Sequence, residues 1–590
     1  MASSSTSIPK TDVLIVGGGP VGLLIALQLT KFGSSAYVVE QDDKSQLPIY
    51  GRACTLWPRT VELLDQLDLA DDMLQEGIVS TNSLHFREGK RLTGGYMYAS
   101  RMDKLDTGHK YAFHLRQRLI EQQLEAALLE CGNEVNSLRR IQSYVINESA
   151  EDGYPVTATI VKTDTEETYQ VKTKYLVGAD GGRSPTRKLA SIPFTGDRSA
   201  YQWVRIDAKV KIDMPNSRYL NSIDSPTHGQ LLWCPIDNGF TRIGYVFSDE
   251  LAKKYGVNAS GEGFTKEMAM AEAERAVAPF KIEWETCDWF VLYGIGQRIA
   301  ETFFTQDRVF LAGDACHTHS SGSAQGLNTG THDAVNLGWK LSLVLRGLAT
   351  PDLLKSYNDE RRPIVQQVID NDKCISKLIS GHLPERFEGR KELPRDILTE
   401  WFTDLTMQSF TLGLGISYST SILNMPGEVS SYSTINPGER GPDAPLVKIG
   451  TGDFIRLHTA LKNEGKFHIL IFAGIPTLTK PHLSTLHTAL SSPSLRALHN
   501  PRLFRWTTLS ATPGPGTFDV FGFHWAGPRA GGKVYFDPEG KAHALYGVDL
   551  EKGAAVVLRP DGWVSAVVGL EVGEMERLAG WLGGVVNLEG

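Results

Sequence analysis

The most informative residues near the N-terminus are three glycines whose spacing suits a phosphate-binding turn. Gly17, Gly19 and Gly22 fit the pattern G-x-G-x-x-G directly after the apolar run DVLIV. Glycine permits a tight turn and lets a pyrophosphate approach the backbone N–H groups. Glu40 closes the next strand-like run, AYVVE, where a carboxylate can accept hydrogen bonds from both hydroxyls of an adenosine ribose. A glycine-rich loop alone need have no function, but the strand, the helix and the acid together predict dinucleotide binding.

Two further carboxylates follow predicted strands later in the chain. Asp180 stands in LVGADGG and Asp314 in RVFLAGD. An isolated Asp-Gly pair is equally typical of an ordinary turn, whereas a strand-end carboxylate such as Asp314 can bind sugar-alcohol hydroxyls. A helix is predicted over about 333–348, and the N–H groups and dipole at its start would face the anionic end of a reduced cofactor. The residues expected there are Gly326, Leu327 and Asn328.

A second kind of chemistry, metal binding, is suggested by the run Cys316, His317 and His319. No further ligand lies at a usable spacing, so no metal is expected. The six cysteines are far apart and form no CxxC pair, which indicates reduced thiols and a cytoplasmic protein.

Charge and hydropathy narrow the class of partner. The formal net charge of −8 comes without a block of lysine or arginine, which argues against nucleic-acid binding. Residues 1–10 lack the apolar core of a signal peptide, and no window approaches the ~18 apolar residues of a membrane span. The expected partners are therefore small molecules.

The elements that must position these residues indicate an α/β protein of several domains, because 590 residues exceed what one core supports. The first strand, the helix over 23–32 and the next strand form a β-turn-α-β unit, which favours a parallel, Rossmann-like sheet. Stretches such as WVRIDAKVKI and FTRIGYVF predict an inserted antiparallel sheet, and HILIFAG, KVYFDPEG and AAVVLRPDGW predict a separate C-terminal α/β domain. The predicted divisions are a nucleotide-binding domain over 1–195 and 291–385, the inserted sheet over 196–290, a linker and helical segment over 386–435, and the C-terminal domain over 436–590.

The order of the three motifs resembles the class A FAD-dependent aromatic monooxygenases, which have the para-hydroxybenzoate hydroxylase fold. The resemblance covers about residues 10–370. The C-terminal part, with VVLRPDGW over 556–563, looks like the thioredoxin-like domain of the phenol hydroxylase subgroup. That domain contains no CxxC here, so the resemblance implies its fold and no thiol redox function.

The resemblance implies a role for each motif in binding FAD. Glu40 would be the ribose ligand, Arg52 and Gln117 would contact the diphosphate and ribityl region, and Asp314 would bind the ribityl chain. Gly326, Leu327 and Asn328 would meet the isoalloxazine ring through backbone amides. No second G-x-G-x-x-G is present, so NADPH or NADH is expected to bind transiently near Arg52 and Asp180.

Three positions depart from the family pattern near the expected substrate. Cys54 stands where phenol hydroxylases have an aspartate, Gly244 where they have a tyrosine, and Ser321 where a proline is usual. Arg242 is retained and Tyr245 is one position from the missing tyrosine, so both are candidates for stabilising a phenolate. Without the usual base, the substrate must already be acidic, as polyhydroxylated polyketides with carbonyl-acidified hydroxyls are.

The predicted function is hydroxylation of a phenolic or aromatic polyketide-like molecule by FAD, NAD(P)H and O2 through a flavin C4a-hydroperoxide. Baeyer–Villiger insertion or epoxidation on the same scaffold is an alternative. So is a flavin-binding protein or a flavin reductase that never uses oxygen. The C-terminal domain is expected to serve packing or subunit contact, which is compatible with a homodimer.

Overall fold

The computed structural model describes residues 8–47, 52–92, 105–258, 261–427, 431–512 and 533–589. The strands of the first part are β1 (Lys10–Val16), β2 (Ala36–Val39), β3 (Thr55–Leu56), β4 (Ile78–Ser80), β5 (Ser83–Arg87), β6 (Lys90–Arg91), β7 (Ala112–His114), β8 (Val135–Asn136), β9 (Arg139–Ile146), β10 (Val156–Lys162) and β11 (Thr168–Gly178). The middle part contains β12 (Phe194–Ile212), β13 (Leu220–Ser225), β14 (Gly229–Pro235), β15 (Thr241–Phe247), β16 (Ile282–Ala300), β17 (Phe304–Thr305), β18 (Val309–Leu311) and β19 (His317–Thr318). The last part contains β20 (Pro445–Lys448), β21 (Phe454–Arg456), β22 (Phe467–Gly474), β23 (Phe504–Ser510), β24 (Lys533–Phe536), β25 (Ala554–Leu558) and β26 (Val564–Val568).

The helices of the nucleotide-binding part and the inserted sheet come first along the chain. They are α1 (Pro20–Lys31), α2 (Pro58–Gln66), α3 (Ala70–Glu76), α4 (Gln117–Glu130), α5 (Pro185–Leu189), α6 (Asp249–Tyr255), α7 (Lys266–Ala276), α8 (Gln325–Leu345) and α9 (Lys355–Ile379). The later helices are α10 (Pro394–Thr403), α11 (Leu405–Thr411), α12 (Leu457–Ala460), α13 (Pro476–Ala489), α14 (Lys541–Tyr546) and α15 (Val572–Val585). Within the described ranges, no helix combines the length and apolarity that a bilayer crossing requires.

The first sheet has the strand order β17-β18-β11-β1-β2-β8, and β10 and β9 extend it antiparallel from β11. The pairs β1 with β2, β1 with β11, β2 with β8 and β11 with β18 are parallel. The apolar run of β1 is buried on both faces, as in sheets covered by helices on each side. The predicted β-turn-α-β unit and Rossmann-like class are therefore confirmed.

Helix α8 begins eight residues before the predicted start, at Gln325. Its first turns contain Gly326, Asn328 and Gly330, which are weak helix formers, so local propensity does not reveal them. Packing does: a Cβ at Gly330 would lie 2.7 Å from Val21 Cγ2 of α1, so the close approach of the two helices needs glycine here.

The second sheet is the predicted insertion, with the order β19-β16-β12-β15-β14-β13-β5-β6. Its two longest strands, β12 and β16, pair antiparallel and reach beyond the predicted limits of 196 and 290 on the side of the first sheet. Strand β5 joins it parallel to β13, although more than a hundred residues separate them in the sequence. Such non-local pairing leaves no local pattern, and the division into domains stays a prediction.

The third sheet lies in the C-terminal part, with the order β21-β20-β24-β23-β22-β25-β26. Strands β22, β23 and β24 are parallel, and β25 and β26 form an antiparallel hairpin on β22. Helix α13 connects β22 to β23, and α15 follows β26. This is the expected thioredoxin-like α/β arrangement. One buried apolar cluster continues from Leu27 of α1 through Trp339 of α8 to Ile469 of β22.

Candidate active site

The glycine turn after β1 is closed on one side and open on the other. Gly17 has φ +110°, and a Cβ there would collide with the carbonyl of Ala179. A Cβ at Gly22 would collide with the carbonyl of Gly17, so both positions require glycine. A Cβ at Gly19, in contrast, would meet no atom within 4 Å. The turn is therefore a cradle whose open side suits a pyrophosphate.

The chemically important side chains follow strands that run in the same direction. Because β1, β2, β11 and β18 are parallel neighbours, the residues after their last positions share one edge of the sheet. Gly17, Glu40, Asp180 and the Asp314 turn stand at that edge. The carboxyl edge of such sheets is where nucleotides bind.

Glu40 is held in position by backbone groups. Its Oε2 accepts a hydrogen bond from Gly18 N at 2.8 Å, and its Oε1 accepts one from Asp42 N at 3.1 Å. Lys44 Nζ, which the sequence analysis did not single out, donates to Gly18 O at 2.8 Å and lies 3.0 Å from Glu121 Oε2. A carboxylate has capacity for about four hydrogen bonds, so Glu40 retains acceptor sites for ribose hydroxyls.

Asp314 is exposed and makes no hydrogen bond within the part of the chain that the structure describes. The turn that presents it is fixed from behind by Asp333, which accepts hydrogen bonds from Gly313 N at 3.1 Å and Arg361 Nε at 2.8 Å and lies 2.7 Å from His317 Nε2. A free acceptor on a rigid turn fits a ligand that supplies hydroxyl donors, as a ribityl chain does.

The start of α8 is the other open surface. Ala324 has φ +53° and precedes the helix, and a Cβ at Gly326 would meet no atom within 4 Å. The side chain of Asn328 instead ties the helix to the first domain. Its Oδ1 accepts from Trp57 N at 2.8 Å, and its Nδ2 donates to Thr55 O at 2.9 Å. Leu327 is buried, so the groups that remain for a cofactor are backbone amides.

Asp180 acts within the protein rather than at its surface. Burial raises the pKa of Asp180, and hydrogen bonds from Ser184 Oγ and Thr186 N oppose that rise. The Thr186 N contact is 2.8 Å long and holds the start of α5. Arg187 on α5 then donates to Ala315 O at 2.6 Å, which joins the turn of Asp180 to that of Asp314.

Gln117 is joined to Ala53, the residue after Arg52, by a hydrogen bond from its backbone N–H to Ala53 O at 3.0 Å, and it is less exposed than Arg52. The Arg52 side chain is exposed, and its carbonyl accepts a hydrogen bond from Arg242 Nη1 at 3.1 Å. Gln117 begins α4 and donates from Nε2 to Glu121 Oε1 at 2.9 Å. Residues 48–51, immediately before Arg52, lie outside the described residues.

The inserted sheet turns one face toward the loop before α8. Cross-strand pairing places Cys234, Arg242 and Asp207 in one row, and Leu232, Gly244 and Arg205 in the next. Since side chains alternate along a strand, all of these share a face. Between this face and the loop lies a cavity lined by Trp203, Arg205, Gly244, Ser321 and Gly322 among others.

Ser321 is part of the cavity wall. Its Oγ accepts a hydrogen bond from Arg205 Nη2 at 3.0 Å and forms a hydrogen bond with the Tyr293 hydroxyl. Neither Arg205 nor Tyr293 was singled out from the sequence. The alternating charges of WVRID could have shown that Arg205 and Asp207 share a strand face.

Arg242 and Cys54 lie together at the same face of the sheet, both buried and neither in the lining of the cavity. Arg242 donates to Asp207 from Nε at 2.7 Å and from Nη2 at 2.8 Å, a bidentate ion pair. The Cys54 thiol hydrogen-bonds the thiol of Cys234, which lowers the pKa of Cys54 against the opposing effect of burial. The charge of Arg242 lowers that pKa further. The structure thus brings Arg242 and Cys54 together, one row away from Gly244.

Tyr245 lies on the opposite face from these residues. Its hydroxyl donates to Ala269 O at 2.8 Å, and its ring packs in the core beneath α7. Adjacent strand residues point to opposite faces, so a one-position shift from Gly244 carries the phenol away from the loop before α8. Tyr245 thus contributes to the cavity wall together with Ser321, but its hydroxyl is bound to Ala269 O on the far side of the sheet from Arg242 and Cys54.

Tyr245→Phe should therefore leave turnover within about twofold of the unmodified enzyme. It should lower the free energy of unfolding by about 1 kcal/mol, because one buried hydrogen bond is lost. Steady-state kinetics and chemical denaturation measure the two effects. A tenfold loss of turnover with unchanged stability would mean that the hydroxyl acts on the substrate.

The fold adds one residue, Asp333, to the possible metal ligands Cys316 and His317. Cys316, His317 and Asp333 place potential ligand atoms within 4.8 Å of one another. The sequence showed no further ligand at a usable spacing, and the fold brings Asp333 in from α8. Asp333 is already paired with Arg361, whose positive charge beside the group disfavours a cation.

Asp314→Ala should weaken FAD retention, because it removes the exposed acceptor expected to bind ribityl hydroxyls. A loss of ~1–3 kcal/mol in binding is expected. The flavin-to-protein absorbance ratio after gel filtration and dilution measures it, with the exposed Asp307→Ala as a matched control. Full flavin content in Asp314→Ala under conditions that strip no flavin from the control would contradict the assignment.

Comparisons with known proteins agree with this geometry. The family model described as FAD binding domain matches residues 10–372, and the model described as phenol hydroxylase, C-terminal dimerisation domain matches residues 522–589. The 3-hydroxybenzoate 4-monooxygenase of Comamonas testosteroni is 29% identical over 95% of this chain and 93% of its own. A 12-dehydrotetracycline 5-monooxygenase/anhydrotetracycline 6-monooxygenase of Streptomyces rimosus is 32% identical over 74% of this chain and 81% of its own.

Solved structures show the same architecture over nearly the whole chain. The anhydrotetracycline hydroxylase OxyS of Streptomyces rimosus has a TM-score of 0.66 at 25% identity and covers 96% of both chains. The flavin-dependent monooxygenase PieE, in complex with FAD and substrate, has a TM-score of 0.73 at 22% identity and covers 98% of this chain and 99% of its own.

Proposed function

Because this chain belongs to the FAD binding domain family and is an FAD-dependent monooxygenase, we propose that it hydroxylates a phenolic or aromatic polyketide-like molecule with NADPH or NADH and O2. The observation that carries the proposal is the cavity between the inserted sheet and the Ser321–Gly322 loop. That loop leads directly into α8, whose open N-terminus is the proposed site of the flavin ring.

The protein's own part in the reaction is to bind and orient. Glu40 and the Gly17 to Gly22 turn hold the adenosine and pyrophosphate end, and Asp314 holds the ribityl chain. The backbone amides of α8 stabilise negative charge at the ring end, because a helix N-terminus carries a partial positive charge. When bound, FAD supplies the electron transfer from the nicotinamide and the activation of dioxygen.

Ser321 and the arginines of the sheet are the proposed substrate-side residues. Arg242 is paired with Asp207, so its proposed role is to position its neighbours. It does so through its hydrogen bond to Arg52 O and its positive charge beside the Cys54 thiol. Cys54, which stands at the family's aspartate position and whose pKa is lowered, is a group there that can exchange a proton.

Three finer statements belong to the same proposal. The nicotinamide cofactor binds transiently near the exposed Arg52 and near Asp180. The protein works in the cytoplasm, as its unpaired cysteines suggest. Its C-terminal domain, over about 436–590, contributes to a homodimer. The match to a dimerisation domain supports this part of the proposal.

The proposal is tested by NADPH oxidation with purified holoenzyme and a panel of phenols and aromatic polyketides. At least one phenol should stimulate NADPH consumption, with less than one hydrogen peroxide formed per NADPH. A methyl ether of the same phenol is the matched control. An unstimulated rate with every compound, or complete conversion of oxygen to peroxide, would favour the binding or reductase alternative.

A further inference from the structure

Arg205 is a buried cation on the wall of the substrate cavity. Only 8% of its surface is exposed, and its guanidinium lies 5.0 Å from the Trp203 ring and 5.9 Å from the Tyr293 ring. Its hydrogen bonds go to neutral oxygens: Nη1 donates to Val204 O and Nη2 to Ser321 Oγ, each at 3.0 Å.

No carboxylate lies within 4.0 Å of Arg205 among the residues that the structure describes. Three other buried arginines differ in this respect: Arg242 lies 2.7 Å from Asp207, Arg116 lies 2.6 Å from Asp237, and Arg361 lies 2.8 Å from Asp333. Buried Arg187 also has no ion pair, but its guanidinium donates to the carbonyls of Ala315 and Gly182. A buried charge without a counter-charge is costly, so such a group commonly has an anionic partner. The open side of Arg205 faces the cavity, where that partner would be a ligand.

Gly244 provides the space that the guanidinium occupies. A Cβ at Gly244 would collide with Arg205 Nη1 and lie 2.8 Å from its Cζ. The backbone of Gly244 is ordinary strand without a positive φ, so its conformation does not require glycine. Glycine inside a strand weakens it, and the close approach of Arg205 is the physical reason for its presence.

Two further polar atoms on the cavity wall lack a partner. Trp203 Nε1 and Ser222 Oγ are buried and make no hydrogen bond in the described ranges. Both residues line the same cavity as Arg205. An N–H and a hydroxyl can donate to carbonyl or hydroxyl oxygens of a ligand, which would satisfy them.

We propose that Arg205, seated in the space left by Gly244 and steadied by Ser321, binds an ionised oxygen of the substrate. The substrate is accordingly a planar aromatic acid, either a carboxylate or a phenol acidified by a neighbouring carbonyl, with further oxygens that reach Trp203 and Ser222. This inference rests on the proposed function, whose cavity it uses, and names the substrate class.

The test compares ligand pairs that differ in charge but little in shape, bound to the oxidised holoenzyme. The carboxylate arm uses 3-hydroxy-2-naphthoate and its carboxamide, and the acidified-hydroxyl arm uses 2-hydroxy-1,4-naphthoquinone and its methyl ether. Dissociation constants come from the change in the visible flavin spectrum. In the unmodified enzyme, the anion of at least one pair should bind more tightly than its neutral partner.

Arg205→Gln should weaken binding of that anion by ~10- to 100-fold and leave the neutral partner within about twofold, because a charge-assisted hydrogen bond is lost. Gly244→Ala should have the same sign, since it displaces the guanidinium without removing its charge. Arg218→Gln is the matched control: Arg218 lies near the same sheet and donates to Phe240 O at 3.0 Å, away from the cavity lining.

Equal loss of the anion and of its neutral partner in both variants, or an unchanged ratio, would overturn the role of Arg205. Flavin content and the midpoint of thermal unfolding confirm that each variant is folded. The outcome is separate from that of the proposed function, because binding to oxidised enzyme involves neither NADPH nor oxygen. An enzyme that binds anions through Arg205 but never oxygenates them would contradict only the proposed function.

Discussion

Glu360→Gln should lower the free energy of unfolding by about 3–5 kcal/mol, the usual cost of removing one partner from a buried ion pair. Glu360 on α9 is fully buried and lies 2.7 Å from both Lys340 of α8 and Arg559, which follows β25. Asp561 belongs to the same network of buried charges and accepts a hydrogen bond from Trp339 Nε1 at 3.0 Å. Glutamine would leave two buried cations with one carboxylate.

The effect should depend on pH in a defined direction. Burial would raise the pKa of Glu360, but the charges of Arg559 and Lys340 outweigh it and lower the pKa to about 2. An acid with a lowered folded-state pKa stabilises the fold above its unfolded pKa of ~4.3, and that contribution is lost as pH falls toward 2. The stability difference between the unmodified protein and Glu360→Gln should therefore shrink between about pH 5 and pH 2.

Urea unfolding followed by tryptophan fluorescence measures both effects. Glu166→Gln, which removes an exposed pair with Arg140, is the control and should change the midpoint little. The network joins α8 to the C-terminal sheet. Removal of residues 436–590 should therefore impair folding more than it impairs the chemistry of the cofactor. An unchanged midpoint for Glu360→Gln would show that the ion pairs of Glu360 do not contribute to holding the two parts together.

Gly19→Ala should reduce FAD affinity on the order of 100-fold while leaving the apoprotein as stable as before. A methyl at Gly19 would meet no protein atom within 4 Å, and the backbone there has an ordinary φ of −73°. Any loss must therefore come from the cofactor, whose pyrophosphate would lose close, charge-assisted contacts with backbone N–H groups.

The matched control is Gly580→Ala on α15, where a Cβ also meets nothing within 4 Å. Fluorescence titration of the apoprotein with FAD gives the affinity, and thermal unfolding of the apoprotein gives the stability. Equal FAD affinity in Gly19→Ala and Gly580→Ala would place the pyrophosphate elsewhere. A drop in apoprotein stability for Gly19→Ala would mean that the turn is closed by protein atoms on both sides.

The cofactor half of the site could be predicted from sequence because its signals are local. Gly17 and Glu40 follow directly on a strand and Asp314 comes three residues after one, and parallel strands bring their carboxyl ends together without further information. The start of α8 was placed too late, because its weak helix formers are stabilised by contact with α1 and not by their own propensity.

The substrate half depends on cross-strand register, which local pattern does not contain. The role of Arg205 follows only from its cross-strand pairing with Gly244 on β15 and its hydrogen bond to Ser321. The face of Tyr245 follows from alternation alone, since Gly244 and Tyr245 are neighbours on one strand and must point in opposite directions. The ion-pair network of Glu360 joins residues about 200 positions apart and has no sequence signature.

The central claim, that this protein inserts one atom of dioxygen into an aromatic acid, is tested most directly with isotopically labelled dioxygen. Holoenzyme, NADPH and an ionisable hydroxylated aromatic are incubated under labelled O2, and the product is analysed by mass spectrometry. A product heavier by a single labelled oxygen atom is predicted, with the same experiment in labelled water giving no incorporation into the new hydroxyl. A product labelled only from water, or peroxide as the sole fate of the oxygen consumed, would contradict the account.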